Sequence, residues 1–221
     1  RVHVIGKGIL RFHAIYWPAM LLSANLPLPT TIYAHEYLTI NGQKMSKSLG
    51  NVIYPDELVA KFGIDGTRYL LLTALPYTRD GDLSWEKMTE KYNADLANGL
   101  GNLVSRVVKL SEKLEKDEEK SITVLEDGVL GALQPFFTKF DMSSALVHIW
   151  TGVQTLNEYL GKEEPWKLES DSEKFKEVMK YARNQVALLA AEIEPFLPST
   201  SEKIGMALNT GKVEPLFQRI K

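Results

Sequence analysis

Cysteine is missing from all 221 residues, so nothing in this chain can form a disulfide, act as a thiol nucleophile or hold zinc through sulfur. Long apolar runs are missing too: no stretch of about 18 uninterrupted apolar residues occurs, which argues against a membrane-spanning helix. A surplus of one charge is the third absence. The chain sets 26 Lys and Arg against 28 Asp and Glu, a formal net charge of −2. That balance argues against nucleic-acid binding through bulk positive charge and leaves room only for a few placed groups. Arg1-Val2-His3-Val4-Ile5-Gly6 opens without Met and without a signal-peptide pattern, inside a strand-like run, and we expect a fragment of a longer polypeptide. What is present is ordinary for a globular chain. Hydrophobic residues at 44% and charged residues at 24% exclude disorder and collagen-like repeats, and the length allows one large or two modest domains.

Val2 to Ile5, closed by Gly6-Lys7-Gly8, reads as a buried strand running into a loop. From Ile9 to Ser23 apolar pairs recur at helical spacing, with Pro18 as a kink, and Pro27 and Pro29 mark a connector. Residues 31–34 and 36–40 look extended, and Asn41-Gly42 is a strong tight-turn signal. Beyond it, 55–62 and 65–75 suggest two short helices and 76–83 a polar connector. Ser84 can cap a long helix running to about residue 116, with Met88, Tyr92, Leu96, Leu100, Leu103, Val107, Leu110 and Leu114 as its apolar stripe. The charge-rich run 112–120 reads as a solvated helix end. Further helices are expected over 124–140, interrupted near Pro135, over 141–160, and over 171–196 closed by Pro195 and Pro198, with a short last helix over 202–208. The fold class is therefore mainly α, an α/β remnant followed by a helix bundle, with a boundary near 76–84.

Lys44-Met45-Ser46-Lys47-Ser48 follows the Asn41-Gly42 turn. Two lysines three residues apart, separated by small residues in a loop, can both point at one polyanion and stabilise charge growing on a leaving pyrophosphate. The plain alternative is an exposed basic turn without a ligand. The pentapeptide matches, residue for residue, the KMSKS signature of class I aminoacyl-tRNA synthetases. Its flanks, Gly6-Lys7-Gly8-Ile9, Arg11-Phe12-His13 and Tyr16-Trp17-Pro18-Ala19-Met20-Leu21, resemble the methionyl-tRNA synthetase family. That resemblance implies a Rossmann-type start and puts Lys44, Lys47 and His35 against ATP, which arrives with Mg2+, with Lys44 and Lys47 catalytic. It puts Ile9, His13 and Trp17 in the methionine pocket. Their i, i+4, i+8 spacing would present them on one helical face, where aliphatic and aromatic walls suit a thioether. Without the flanking match, Ile9 and Trp17 read as core residues. Two positions depart from the family pattern: Gly8 stands where an acidic residue is usual, and Glu36 follows His35 where glycine is usual. The family's other signature, HIGH, and its zinc-carrying insertion are absent, and no metal site is expected in this chain.

Residues 92–106 resemble the family's first anticodon-domain helix, in which positions matching Asn102 and Arg106 contact anticodon bases. Asn can pair with a base edge, and Arg can bond to or stack on an unpaired base. Read alone, the i, i+4 pair is solvated surface. Asn157-Glu158-Tyr159-Leu160 and Glu163-Glu164-Pro165-Trp166-Lys167 resemble the other half of that site, with Trp166 as a stacking platform; the alternative is a tryptophan closing the bundle core. The resemblance thus implies part of a methionine–tRNA ligase, with the remainder of a catalytic domain over 1–42, the signature loop and connector helices over 43–83, and an anticodon-binding bundle over 84–221. The implied partners are methionine, the CAU anticodon of the methionine tRNA and a missing amino-terminal half. The implied location is the cytoplasm, and no membrane is involved. Competing readings are a stand-alone tRNA-binding module, another class I synthetase, and a helix-bundle interaction protein.

Overall fold

The computed structural model describes residues 1–75, 79–114 and 131–221. Most of the charge-rich run over 112–120, and the first part of the helix expected over 124–140, lie outside the described residues. Strand β1 (Val2–Gly6) pairs in parallel with β2 (Thr31–His35), with Val2 opposite Thr31 and Gly6 opposite His35. Parallel neighbours need a crossover of a dozen or more residues. Here it consists of a 3-10 turn at Lys7–Ile9, a π-helical segment at Phe12–Tyr16 and helix α1 (Trp17–Ser23). The single helix kinked at Pro18 that the spacing predicts is instead a change of pitch ahead of the proline. Pro18 lies in the first turn of α1, and its ring crowds the preceding turn; the backbone widens there, with the Trp17 amide donating to the Phe12 carbonyl five residues back.

Strand β3 (Leu38–Ile40) is central in a second sheet, antiparallel to β4 (Gln43–Lys44) and parallel to β5 (Gly81–Leu83). Asn41 and Gly42, both at positive φ (51° and 74°), form the two-residue turn between β3 and β4. The end of the stretch expected to be a connector is thus a strand. Three residues carry too little alternation to be seen in sequence, yet their backbone groups still need partners. Gly81 is required there, because a Cβ would lie 2.0 Å from the Ala74 carbonyl oxygen.

The helices expected over 55–62 and 65–75 are the two halves of α2 (Pro55–Ala74), broken at Gly63, φ 71°. The expected long helix runs as α3 (Trp85–Lys91), a π-helical segment (Tyr92–Gly101) and α4 (Asn102–Ser111), and the Ser84 hydroxyl accepts from the Lys87 amide at 3.1 Å. Met88, Tyr92, Leu96, Leu100, Val104 and Val108 repeat every four residues and are all buried. On an α-helix of 3.6 residues per turn such a row drifts around the axis, whereas the wider π turns keep it against the core. The bundle continues with α5 (Gln134–Lys139), α6 (Met142–Glu163), α7 (Glu173–Ile193) and α8 (Pro198–Thr210). Asp141 and Ser172 cap α6 and α7 through the Ser144 and Phe175 amides. Pro198, expected to help close the preceding helix, instead opens α8. Leu96, Leu100, Leu146, Ile149, Phe175, Met179, Val186, Ile193 and Ile204 meet in one core, which also takes in Phe62, Tyr69 and Leu70 of α2.

Helix α2 grips the α7–α8 corner through two charges one turn apart. Asp65 Oδ2 accepts from the Thr200 amide and hydroxyl at 2.6 and 2.7 Å, capping α8 from outside its own segment. Arg68 donates to the Phe196 and Pro195 carbonyls at the end of α7 at 2.6 and 3.0 Å. Each charge opposes the end of the helix dipole it meets. Replacing Asp65 by Ala removes a buried cap, and we expect a loss of about 1–2 kcal/mol. It should be read as a lowered urea midpoint with an unchanged m-value; an unchanged midpoint would show that the cap contributes nothing.

Candidate functional site

The loop after β4 is shaped by its own residues. Ser46 Oγ lies 2.7 Å from Ser48 Oγ and accepts from the Ser48 amide, and Gly50, at φ 65°, closes the short turn Lys47–Leu49. Asn51 spans the loop base: its Oδ1 accepts from the Ser46 amide at 2.8 Å and its Nδ2 donates to the Lys44 carbonyl at 3.1 Å. Met45 is partly buried against the core, whereas Lys44 and Lys47 are exposed and make no ion pair among the described residues. The alternation of an apolar anchor with free cations leaves both ammonium groups available to an anion. Nothing in the sequence marks Asn51 for this role, since an isolated asparagine after glycine looks like any turn residue.

The residues expected around a thioether come together in part. His3, Val4, Ile5, Phe12, His13 and Trp17 line an open groove of about 430 Å³. Ile9 does not line it; its side chain is exposed and its carbonyl takes a hydrogen bond of 3.0 Å from His13 Nδ1. The one-face geometry assumed for Ile9, His13 and Trp17 needs a uniform α-helix, and the 3-10 and π turns rotate Ile9 away. Because a carbonyl can only accept, His13 carries its proton on Nδ1 when neutral. His35, at the end of β2, donates from Nδ1 to the Glu36 carbonyl at 3.0 Å. No hydrogen bond joins it to Lys44 or Lys47 among the described residues.

The two positions at which this chain departs from the resembled pattern lie around one side chain. Lys7 pairs with Glu36 and, at 2.7 Å, with Asp80, and its ammonium sits 4.5 Å from the centre of the Tyr37 ring. A Cβ at position 8 would fall 2.7 Å from the Tyr37 hydroxyl, so Gly8 leaves the room that Tyr37 fills. Asp80 and then Glu36 raise the Lys7 pKa, and Lys7, with the Tyr37 amide, holds the Asp80 carboxyl below its ordinary range.

On the bundle, Arg106 of α4 donates to Asn157 Oδ1 of α6, and its guanidinium lies 5.9 Å from the centre of the Trp166 ring. Asn157 is held in turn by the Val153 carbonyl. Trp166, in the short turn Pro165–Lys167 after α6, keeps 42% of its surface exposed, which is far from a core tryptophan. Asn102 is exposed one turn before Arg106, and Arg106 Nε is buried without a partner among the described residues. Three elements thus gather a cation, an amide and an open indole. Asn157 is the member whose side-chain role was not legible, because its partner is 51 residues away.

Comparison with known proteins agrees across the chain. Residues 1–108 match the family model described as tRNA synthetases class I (M), and 113–217 match the anticodon binding domain of methionyl tRNA ligase. The chain belongs to the methionyl-tRNA synthetase family. Relatives include the methionine–tRNA ligases of Caldanaerobacter subterraneus subsp. tengcongensis, 38% identical over 92% of this chain, and of Clostridium acetobutylicum, 39% identical over 94%. The chain spans 34% of the length of each of these two. Among solved structures, the Mycobacterium tuberculosis methionyl-tRNA synthetase in complex with methionyl-adenylate superposes with a TM-score of 0.84 at 32% identity, covering 99% of this chain and 50% of that one.

The departures from the synthetase pattern yield a direct test. Asp80→Asn should lower the Lys7 pKa toward its ordinary value, and Glu36→Gln should lower it less. Side-chain NMR titration of the lysine ammonium would show this, and two unshifted titrations would mean that neither carboxylate holds it.

Proposed function

We propose that this chain is the signature-loop and anticodon-recognition portion of a methionine–tRNA ligase, divided into 1–42, 43–83 and 84–221 as its motifs suggest. The observation that carries this reading is the meeting of Arg106, Asn157 and the half-exposed Trp166 in a bundle that shares a core with the helix following the Lys44–Ser48 loop. The indole face offers a stacking surface for an unpaired base, and Arg106 and Asn102 offer donors to its edge. Recognition of a CAU anticodon by a few such groups agrees with a chain of net charge −2.

In the proposed reaction the methionine carboxylate attacks the α-phosphorus of ATP, giving methionyl-adenylate and pyrophosphate. A ribose hydroxyl of the tRNA's terminal adenosine then attacks the methionyl carbonyl, forming the ester and releasing AMP. ATP arrives as its Mg2+ complex. Lys44 and Lys47 meet the phosphates, where their charge matters most as negative charge builds on the departing pyrophosphate. The groove beside His13 and Trp17 holds the thioether, with Ile9 outside the pocket's lining in this conformation, and His35 stands at the nucleotide side. The rest of the catalytic site comes from the part of the relatives that this chain does not span. The exposed apolar side chains Leu10, Phe12, Ile15, Tyr16 and Met20 on the β1–β2 crossover form the surface it would cover. No helix among the described residues is long and apolar enough to cross a membrane, and the proposed place of action is the cytoplasm.

Trp166→Ala should weaken binding of a CAU anticodon stem-loop to the chain by about 5- to 100-fold, the worth of one stacked base. Helical circular dichroism and melting should stay unchanged; unaltered binding together with a lower melting temperature would make Trp166 a core residue instead. In the parent polypeptide, Lys47→Ala should lower kcat of methionine-dependent pyrophosphate exchange by about a hundredfold with little change in methionine KM. Equal changes in both parameters would assign Lys47 to general binding.

A further inference from the structure

Strand β5 has only three residues, yet Asp82 within it and Asp80 just before it both bind groups of the same region. Asp82 Oδ1 accepts from the Thr39 hydroxyl and from the Gly42 amide, each at 2.7 Å. The bonds from Gly42 and then Thr39 keep the Asp82 carboxyl below its ordinary range. Thr39 stands opposite Lys44 on β4 and opposite Asp82 on β5, so Lys44, Thr39 and Asp82 form one row across three strands. Gly42 is the second turn residue, at φ 74°, immediately before β4. Its amide is therefore tied to a carboxylate 40 positions away, at the hairpin turn from which the lysine-bearing loop springs.

We propose that Asp82 is a positioning residue for the Lys44–Ser48 loop, with Asp80 and Lys7 as the fixed end of the same tether. Two residues before Asp82, Asp80 Oδ1 holds Lys7 at 2.7 Å and the Tyr37 amide at 2.9 Å, and the Gly81 amide donates to the Tyr37 carbonyl at 2.9 Å. The loop's base is thereby referenced to the carboxyl ends of β1 and β2, the edge at which parallel α/β sheets place their ligands. From Asp82 the chain of bonds runs through Gly42 to β4, through the Lys44 carbonyl to Asn51, and back to the Ser46 amide. Lys87 lies 3.5 Å from Asp82 Oδ2 and leaves Oδ1 free for this duty. The consequence for chemistry rests on the reading that Lys44 and Lys47 meet phosphates: two long, mobile cations are useful at a transition state only if their backbone is held in place. The tether itself rests on geometry alone.

The test compares Asp82→Ala with Asp82→Asn, since an asparagine carbonyl oxygen can still accept both bonds. In the 221-residue chain, amide hydrogen exchange should show protection at Gly42 falling about tenfold or more in Asp82→Ala, with Ser46 following, and largely retained in Asp82→Asn. Amides of α7 serve as the folding control and should not change. Gly42 protection within threefold of the original in Asp82→Ala, or an equal loss in Asp82→Asn, would overturn the tether. In the parent polypeptide, Asp82→Ala should lower kcat of methionine-dependent pyrophosphate exchange about tenfold at unchanged methionine KM, and Asp82→Asn should restore it. A matched fall in kcat and rise in KM would overturn the positioning role. Absence of exchange in the unsubstituted parent would overturn the proposed activity instead, and Gly42 exchange would still decide the tether.

Discussion

A row of apolar side chains spaced by four must stay on one side of a helix more than twenty residues long, and most of the bundle follows from how that is achieved. Met88, Tyr92, Leu96, Leu100, Val104 and Val108 would spiral off the core on a regular α-helix; the π-helical stretch over Tyr92–Gly101 keeps them in line. With the row pinned, the residues just before it face α6. The Trp150 indole donates to the Asp95 carbonyl, and Arg106 reaches Asn157. The same packing that buries Leu100 and Val107 therefore aims Arg106 at Trp166. The core and the Arg106–Trp166 cluster are two sides of one helix, and neither can be re-registered without the other.

Charge is used here for joining segments rather than for a general field. Asp65 and Arg68 fasten α2 to the α7–α8 corner, and the Asp95 carboxylate, which also pairs with Lys91 one turn earlier on the long helix, accepts from the Tyr69 hydroxyl and so ties α2 to that helix. Lys7 joins the end of β1 to Glu36 and Asp80. Phe140, at the unusual φ of 58°, stacks on Tyr33 at 5.0 Å and links the α5–α6 corner to the β1–β2 pair. Lys44 and Lys47 take no part in this joining: both are exposed and make no ion pair among the described residues.

Motifs were readable because their chemistry is local. Lys44 to Ser48 sit within one turn, Asn41-Gly42 dictates its own backbone, and Ser84 caps the helix that starts beside it. The apolar stripes of α6 and α7 were readable for the same reason, since periodicity is a short-range signal. The pairing of Asp82 with Gly42, of Arg106 with Asn157 and of Lys7 with Asp80 was not, because each spans 40 or more residues with no periodic trace. The placing of Ile9 on a common face with His13 and Trp17 failed for a different reason: it assumed α-helical pitch where the backbone changes pitch three times.

The order of the residues by itself determined the helix-rich class and the signature loop with its two lysines, because composition, spacing and turn chemistry act over a few residues; the candidate base-contacting side chains came from the resemblance to the family. Only the tertiary structure decided that Gly8 and Glu36 surround the same lysine, that Trp166 stays open beside Arg106, and that a three-residue strand carries the tether of the loop. Those outcomes depend on which distant backbone and side-chain groups the packed elements bring within reach of one another, and no local pattern in the sequence records that.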